Sequence, residues 1–236
     1  EAIQKTKEKK GTIVVDANWV NWHFSDKKYL KISFTDNGTG MSPEQMEKLV
    51  SQLASSGDVK SEHINYGVGA KISALSRNPA GLQYESWQNG KGFMVLIYYD
   101  PTLGTYCMER FKNEDGKYLN YLEITDEVKP AEIKEHGTRV TLFGKKPEED
   151  TMQLPEGVRG TKEFWQLSYL NTRFFNIPDG IELKVRTGYY YELDKAVFNE
   201  KKNSIDDPAK SNCLRFVKGH KYSLDRNRLK NKSGIV

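Results

Sequence analysis

The sequence predicts an α+β fold in which a mixed, mostly antiparallel sheet is covered by helices on one face. Short runs of β-branched and aromatic residues recur along the chain, Gly, Asn and Asp turns separate them, and few segments have the 3.6-residue period of a helix. With 37% hydrophobic and 29% charged residues among 236, the composition is that of a globular protein. Helices and strands that do not alternate strictly along the chain favour a two-layer sandwich.

The first elements predicted are a helix end and a β-hairpin. Residues 1–10 have the composition of a helix that stops at Gly11. Residues 12–19 and 29–35 have the apolar and β-branched pattern of strands, and the polar residues 21–28 between them predict the connection of a hairpin.

Two helices are predicted next. Ser42 is followed by Pro, Glu and Gln, which is the pattern of a helix start with a capping serine, and apolar residues recur at helical spacing from Met46. Residues 55–65 have no periodicity and predict a loop. A helix of small residues is predicted from Gly69 to about Asn78.

Strands dominate the middle of the chain. They are predicted, in order, at residues 82–87, 92–99, 105–111, 118–124 and 139–143. Thr161 is predicted to cap a helix that runs to about Arg173. A hairpin at residues 181–186 and 189–193 follows, then a polar loop over residues 196–210.

Bulk properties exclude several classes of protein. No apolar run approaches the roughly 20 residues that cross a bilayer, so no membrane partner is expected. A net charge of +4 is too small to predict nucleic-acid binding, and the Lys-rich residues 218–232 are expected to be solvated. Cys107 and Cys213 lie far apart without metal-ligand spacing, so we expect a reducing, cytoplasmic setting.

Two glycine-rich turns carry the functional signal. Residues 36–41, Asp-Asn-Gly-Thr-Gly-Met, close a strand and lead into a helix, and residues 66–71, Tyr-Gly-Val-Gly-Ala-Lys, open another. Glycine permits positive φ and close approach of the backbone, and a helix start offers unpaired N–H groups to an anion. An Asp-Asn-Gly turn alone is common. Both turns, with a Gly-Thr pair at 137–138 before a strand, predict a nucleotide pocket.

This ordered set of motifs resembles the GHKL ATPases, which include DNA gyrase, the ninety-kilodalton heat-shock chaperone, histidine kinases, and the MutL-type and MORC ATPases. The resemblance covers about residues 1–187. It implies the Bergerat ATP-binding fold for these residues, with ATP and Mg²⁺ as cofactors, and leaves residues 188–236 as an extension or the start of a following domain. It also implies homodimerisation through this domain and a lid whose closure is coupled to a partner or to DNA.

The resemblance assigns the base-binding residues to the first turn and to the Gly-Thr pair. Asp36 would accept a hydrogen bond from the adenine amino group, in a turn that also contains Gly38. Gly40 and Met41 would line the base pocket, and Thr138 would support the same network.

The resemblance assigns phosphate binding to the second turn and to the lid, which is the segment between Met41 and Tyr66. The backbone N–H groups that would face the phosphates belong to Gly67, Val68 and Gly69. Lys71 would lie near phosphate as a point charge, or equally be a surface lysine in the first turn of a helix. Ser55 and Ser56 in the lid would hydrogen-bond phosphate, or be ordinary loop residues.

One departure from the family pattern concerns catalysis. The family carries Glu-x-x-x-Asn-Ala-x-Asp/Glu-Ala on an upstream helix, in which the first Glu is the general base and the Asn holds Mg²⁺. Glu1 and Ala2 fit the last two positions, and Lys5 replaces the Asn that would follow if Glu1 were the base. We therefore expect the base and the metal ligand upstream of Glu1, in a longer protein. A histidine protein kinase and a non-hydrolysing binding module are the alternatives.

Overall fold

The structure is a computed structural model that describes residues 3, 6, 10–26, 28–54, 74–161, 164–187, 197–199, 204–206 and 214–233. Its strands are β1 (Gly11–Ala17), β2 (Ile32–Asp36), β3 (Leu82–Gln88), β4 (Lys91–Asp100), β5 (Thr105–Met108), β6 (Phe111–Lys112), β7 (Tyr118–Leu119), β8 (Leu122–Ile124), β9 (Gly137–Leu142), β10 (Ile181–Arg186), β11 (Val197–Asn199), β12 (Ser204–Asp206) and β13 (Leu214–Phe216). Its helices are α1 (Trp19–Phe24), α2 (Pro43–Ala54), α3 (Trp165–Arg173) and α4 (His220–Ser233).

Nine of these strands form one mixed sheet. The order is β13-β10-β1-β2-β9-β3-β4-β5, with β8 also paired to β4, while β6–β7 and β11–β12 are separate two-stranded ribbons. Strands β1 and β10 are parallel, and the other pairs in the sheet that the structure describes are antiparallel. Because β13 pairs with β10, residues after 187 add an edge strand to this sheet. The predicted domain boundary at residue 187 stays a prediction.

The first helix over the sheet begins as the sequence predicts. The Ser42 hydroxyl accepts a hydrogen bond from the Gln45 N–H at 3.3 Å, and the Gln45 side-chain oxygen accepts the Ser42 N–H at 2.8 Å. This reciprocal pair is a capping box, and it satisfies backbone donors that the first turn of α2 would leave unpaired. The predicted capping serine is therefore confirmed.

The two faces of the sheet differ in composition. Residues directly opposite each other on paired strands share a face, so Asp36 lies on the same face as Ile13 and Thr138, while the neighbouring register places Thr35 opposite Arg139. We call these the Asp36 face and the Arg139 face. Both apolar core clusters contain buried residues of the Asp36 face: Val15, Ile32, Leu82, Val95, Ile97, Leu183 and Val185.

Helices cover the Asp36 face. Met46 of α2 is buried in the cluster over β3 and β4, and Trp165 of α3 belongs to the cluster over β1, β2 and β10. The described residues therefore form the predicted α+β layer, with a mostly antiparallel sheet and helices on one face. Among these residues no helix has the length and apolar character needed to cross a membrane.

The Arg139 face is polar, buried and internally paired. Arg139 donates two hydrogen bonds to Glu85, each at 2.6 Å, and both side chains are only 4% exposed. Arg186 of β10 pairs with Asp16 of β1 at 2.5 Å, and Asp16 also accepts the Trp19 indole N–H. Ion pairs of this kind require good geometry because burial removes the hydration of both charges.

The predicted hairpin is confirmed, because β1 and β2 pair antiparallel, but its connection contains helix α1. The first strand was predicted to extend to Trp19, but β1 ends at Ala17 and α1 begins at Trp19 and runs to Phe24. Its N-cap is Asn18, whose side-chain oxygen accepts the Asn21 N–H at 3.1 Å and whose amide donates to Thr141 at 2.9 Å. Tertiary contacts of a capping side chain, which polarity alone does not reveal, start this helix.

Three other local predictions need correction. Thr161 does not cap α3, because the N-cap position is Phe164, and the Thr161 carbonyl instead accepts the Phe164 N–H at 3.1 Å in a preceding turn. The polar residues 196–210 contain strands β11 and β12. The strands predicted at 105–111 and 118–124 are each broken into two, β5 with β6 and β7 with β8.

Candidate nucleotide-binding site

Asp36 lies where β2 ends in the first glycine turn. Its Oδ1 accepts the Gly38 backbone N–H at 2.8 Å, which is the local hydrogen bond that Asp makes in such turns. Burial raises the pKa of the Asp36 carboxyl, and the Gly38 hydrogen bond opposes part of that shift. No cation of the described residues forms an ion pair with it. A desolvated carboxylate of this kind has hydrogen-bonding capacity left for a donor on a ligand.

Two glycines fix the backbone around this carboxylate. Gly40 has φ +65°, and a Cβ there would lie 2.1 Å from the Trp87 carbonyl oxygen. A Cβ on Gly137 would lie 2.3 Å from the Asp36 carbonyl oxygen. Since these contacts are shorter than any Cβ tolerates, both positions require glycine, and the turn is held directly against β3 and β9.

Three polar side chains form a row across β2, β9 and β3. Asp36 is opposite Thr138, and Thr138 is opposite Ser86. The Ser86 and Thr138 hydroxyl oxygens are 3.1 Å apart, and both residues are buried. Ser86 also accepts the Met41 N–H at 2.8 Å, so the end of the glycine turn is tied to the same row.

Other side chains hold the turn from outside. The Gln88 amide donates to the Thr39 carbonyl at 3.0 Å, and His136 Nδ1 donates to the Gly38 carbonyl. These contacts come from β3 and from the residue before β9. The first glycine turn is therefore held by two side chains that lie about 50 and 100 residues later in the chain.

An apolar cavity of about 350 Å³ borders Asp36 on the same face of the sheet. This volume is in the range of small-molecule sites. Its walls come from four strands and from the segment after α3, and they include Ile13, Phe34, Val140, Phe174, Ile181 and Leu183. Asp36 is the only charged residue among the described residues that line it. The cavity therefore offers apolar walls for a flat ring and one carboxylate to orient it.

The structure brings together part of the predicted site. Asp36, Gly38, Gly40, Met41 and Thr138 are gathered around the ends of β2 and β9. Among these five residues only Asp36 lies in the cavity wall, and the assignment of Gly40, Met41 and Thr138 to the base pocket stays a prediction. The predicted phosphate and lid residues lie outside the described residues: Ser55, Ser56, Gly67, Val68, Gly69 and Lys71.

Sequence reasoning missed Ser86 and did not assign Gln88. A signal for Ser86 exists, because Leu82 and Tyr84 precede it at the alternate positions of β3 that face the core. A serine in an apolar phase of a strand must satisfy its hydroxyl internally. Its partners, however, come from distant segments that the pattern of one strand does not identify.

Comparison with known proteins gives the family. The sequence model described as "Histidine kinase-, DNA gyrase B-, and HSP90-like ATPase" matches residues 13–138, which is more than half of the chain. The chain belongs to this family of ATPases, as its fold and its first glycine turn indicate. No curated protein matches the chain.

Two solved structures are similar to the chain. One is the B subunit of DNA gyrase from Myxococcus xanthus, with 12% identity and a TM-score of 0.42 over 78% of this chain and 43% of that one. The other comprises the ATPase and transducer domains of DNA topoisomerase II from Balamuthia mandrillaris, with 17% identity and a TM-score of 0.44 over 84% and 49%. The chain thus spans less than half the length of either structure.

Proposed function

We propose that this chain is the ATP-binding domain of a larger ATPase and that Asp36 binds the amino group of adenine. The observation that carries the proposal is the position of Asp36 in a member of this family: a desolvated carboxylate at the edge of an apolar cavity. The adenine ring would lie against aliphatic side chains such as Ile13 and Val140. Its amino group would replace the hydration that burial removes from the carboxylate.

Calorimetry of ADP binding to the wild type and to Asp36→Asn tests this assignment. Asn keeps the shape and one oxygen but loses the charge, and we expect affinity to fall at least tenfold, because hydrogen bonds to ionised groups are the stronger ones. Asp115 lies on an exposed turn away from the cavity, so Asp115→Asn is the matched control and should bind as the wild type does. Equal affinity of Asp36→Asn and the wild type would sink the adenine assignment.

We further propose that the segment between the two glycine turns acts as a lid that closes over the phosphates and couples nucleotide state to dimerisation. Sedimentation of the full-length protein with ADP or with a non-hydrolysable ATP analogue tests this step. We expect a dimer with the analogue and a monomer with ADP. An oligomeric state that is the same with both nucleotides would contradict the coupling. Addition of duplex DNA to the same samples tests whether DNA is the partner to which closure is coupled.

Magnesium and hydrolysis form a separate step of the proposal. Among the described residues no group of three His, Cys, Asp or Glu side chains is placed to hold a metal ion. The resemblance assigns the metal ligand and the general base to a helix motif that this chain does not contain in full. We propose slow ATP hydrolysis for the longer protein, tested by phosphate release. Transfer of label from ATP to protein would favour a histidine kinase instead.

A further inference from the structure

Ser86 is the central member of the polar row described above. It is fully buried on β3 and has three polar neighbours: the Met41 N–H at 2.8 Å, the Gly137 carbonyl at 3.1 Å and the Thr138 hydroxyl at 3.1 Å. These neighbours belong to the glycine turn and to β9, which contribute the residues beside Asp36. The Ser86 hydroxyl therefore contacts both the glycine turn and β9, the two segments next to the proposed adenine site.

The hydrogen-bonding capacity of Ser86 limits what Thr138 can do. A serine hydroxyl has one proton and two lone pairs. The Met41 N–H can only donate, so it occupies one lone pair of Ser86, and the single Ser86 proton then goes either to Gly137 or to Thr138. When Ser86 donates to Thr138, the proton of Thr138 is free to point toward a ligand.

A chain of hydrogen bonds favours that second arrangement when a ligand is bound. Each bond in such a chain polarises the next. When a ligand accepts the Thr138 proton, the chain runs from Met41 through Ser86 and Thr138 to the ligand, whereas donation from Ser86 to the Gly137 carbonyl ends it at Gly137. Thr138 lies opposite Asp36 without a hydrogen bond between the two side chains. In that arrangement an acceptor, the Asp36 carboxylate, lies on the strand position opposite a donor, the Thr138 hydroxyl.

We propose that Ser86 is a positioning residue that aims the Thr138 proton into the base site and thereby adds to the selection of 6-aminopurine over 6-oxopurine nucleotides. An acceptor beside a donor is complementary to the amino group and adjacent ring nitrogen of adenine. A 6-oxopurine presents a carbonyl oxygen and a ring N–H at the same atoms, which is the reverse pattern. The inference rests on the proposed binding of adenine at Asp36.

Binding of ADP and inosine diphosphate (IDP) to the wild type, Ser86→Ala and Ser86→Cys tests the inference. The two ligands differ only at the purine edge. In Ser86→Ala the Thr138 hydroxyl is no longer oriented, so we expect ADP affinity to fall about fivefold. The ratio of ADP affinity to IDP affinity should fall by a similar factor. A change of this size corresponds to the loss of one hydrogen bond. Cysteine is a weaker donor of similar shape, and we expect an intermediate ratio.

Ser33→Ala is the matched control. Ser33 is an equally buried strand serine, but it lies on the Arg139 face, where its hydroxyl donates to the Asp16 carbonyl at 3.2 Å. We expect this variant to lose thermal stability like Ser86→Ala while keeping the wild-type ADP-to-IDP ratio. If Ser86→Ala does not fold, Ser86→Cys decides the test.

The outcomes separate this inference from the function on which it rests. A wild type that binds no ADP overturns both. A wild type that prefers ADP, with an unchanged or wider ratio in the Ser86 variants, overturns the role of Ser86 and leaves Asp36 as the base-binding residue. A ratio that narrows equally in Ser33→Ala also overturns it, because the effect would then come from general loosening of the sheet.

Discussion

Polar side chains lie on both faces of the sheet, but their hydrogen bonds are completed differently. On the Arg139 face the ionised groups complete each other: Arg139 binds Glu85 twice, and Arg186 binds Asp16. On the Asp36 face the carboxylate of Asp36 has a backbone partner, borders an apolar cavity and makes no ion pair within the described residues.

This difference separates polar residues that stabilise the fold from polar residues available to a ligand. A buried charge without a countercharge costs folding free energy, so a protein keeps one where another molecule uses it. The paired face should therefore dominate stability, and the Asp36 face should dominate binding. The four predictions below test that division.

The largest effect is expected on the paired face. Arg139→Met leaves the Glu85 carboxylate buried without its partner, and we expect the free energy of unfolding to fall by about 3–5 kcal/mol. Denaturant unfolding measures the change. The double variant Glu85→Leu with Arg139→Met removes both charges and should recover much of that loss. A single variant that loses less than about 1 kcal/mol would contradict the assigned role.

The next effect concerns the close approach at the glycine turn. Gly40→Ala places a Cβ against the Trp87 carbonyl at positive φ, and we expect a loss of about 2–4 kcal/mol together with weaker ADP binding. Gly90 also has positive φ, at +73°, but no atom lies within 4 Å of its Cβ position. Gly90→Ala is therefore the control and should cost about 1 kcal/mol. Equal losses in the two variants would show that the contact with Trp87 is unimportant.

A smaller effect is the pH dependence of ADP binding. Burial raises the pKa of Asp36, so its carboxylate takes up a proton at a higher pH than an exposed Asp does. Because the ionised form is the better acceptor, affinity should fall as pH falls through that pKa, by at most about tenfold per pH unit. ADP titrations of Asp36→Asn at the same pH values measure the contribution of phosphate ionisation, which is then subtracted from the wild-type profile. Parallel pH profiles for the two proteins would argue against Asp36.

The smallest effect is on stability at Asp36 itself. A carboxyl whose pKa is raised on folding holds more protons in the folded state between about pH 3.8 and the raised pKa, so stability falls as pH rises through that window. At neutral pH Asp36→Asn should therefore be as stable as the wild type or more stable, by at most about 1 kcal/mol. The difference should shrink toward pH 3.8. A clear loss of stability in Asp36→Asn at neutral pH would mean that the Asp36 carboxylate stabilises the fold.

Local patterns predicted the elements whose signals lie within a few residues of each other. The capping box at Ser42 and the alternation along β2, β3 and β9 are of this kind. The position of Asp36 in a turn at the end of a strand was also predictable, because Asp-Asn-Gly is a typical turn sequence. These features depend on short-range geometry, which a linear pattern records directly.

The features that the sequence did not predict depend on contacts between distant segments. Helix α1 is only six residues long, and the tertiary hydrogen bond from Asn18 to Thr141 fixes its start. Ser86 acquires its role from Met41, 45 residues before it, and from Thr138, 52 residues after it. The alternation of β3 indicates a buried hydroxyl, but no pattern within that strand names the partners.

The parallel pairing of β1 with β10 has a consequence for the order in which the molecule is assembled. It joins residues about 170 positions apart, as the contact of Arg186 with Asp16 shows. Closing so long a loop is slow and opposed by chain entropy, whereas the neighbouring hairpin of β3 and β4 forms locally. Because Ile181 and Leu183 form one wall of the cavity, the ribosome must release most of the chain before that wall exists. A nascent chain that ends before β10 would contain Asp36 and yet have an open cavity, so a ligand of this cavity could stabilise the fold only after β10 has been added.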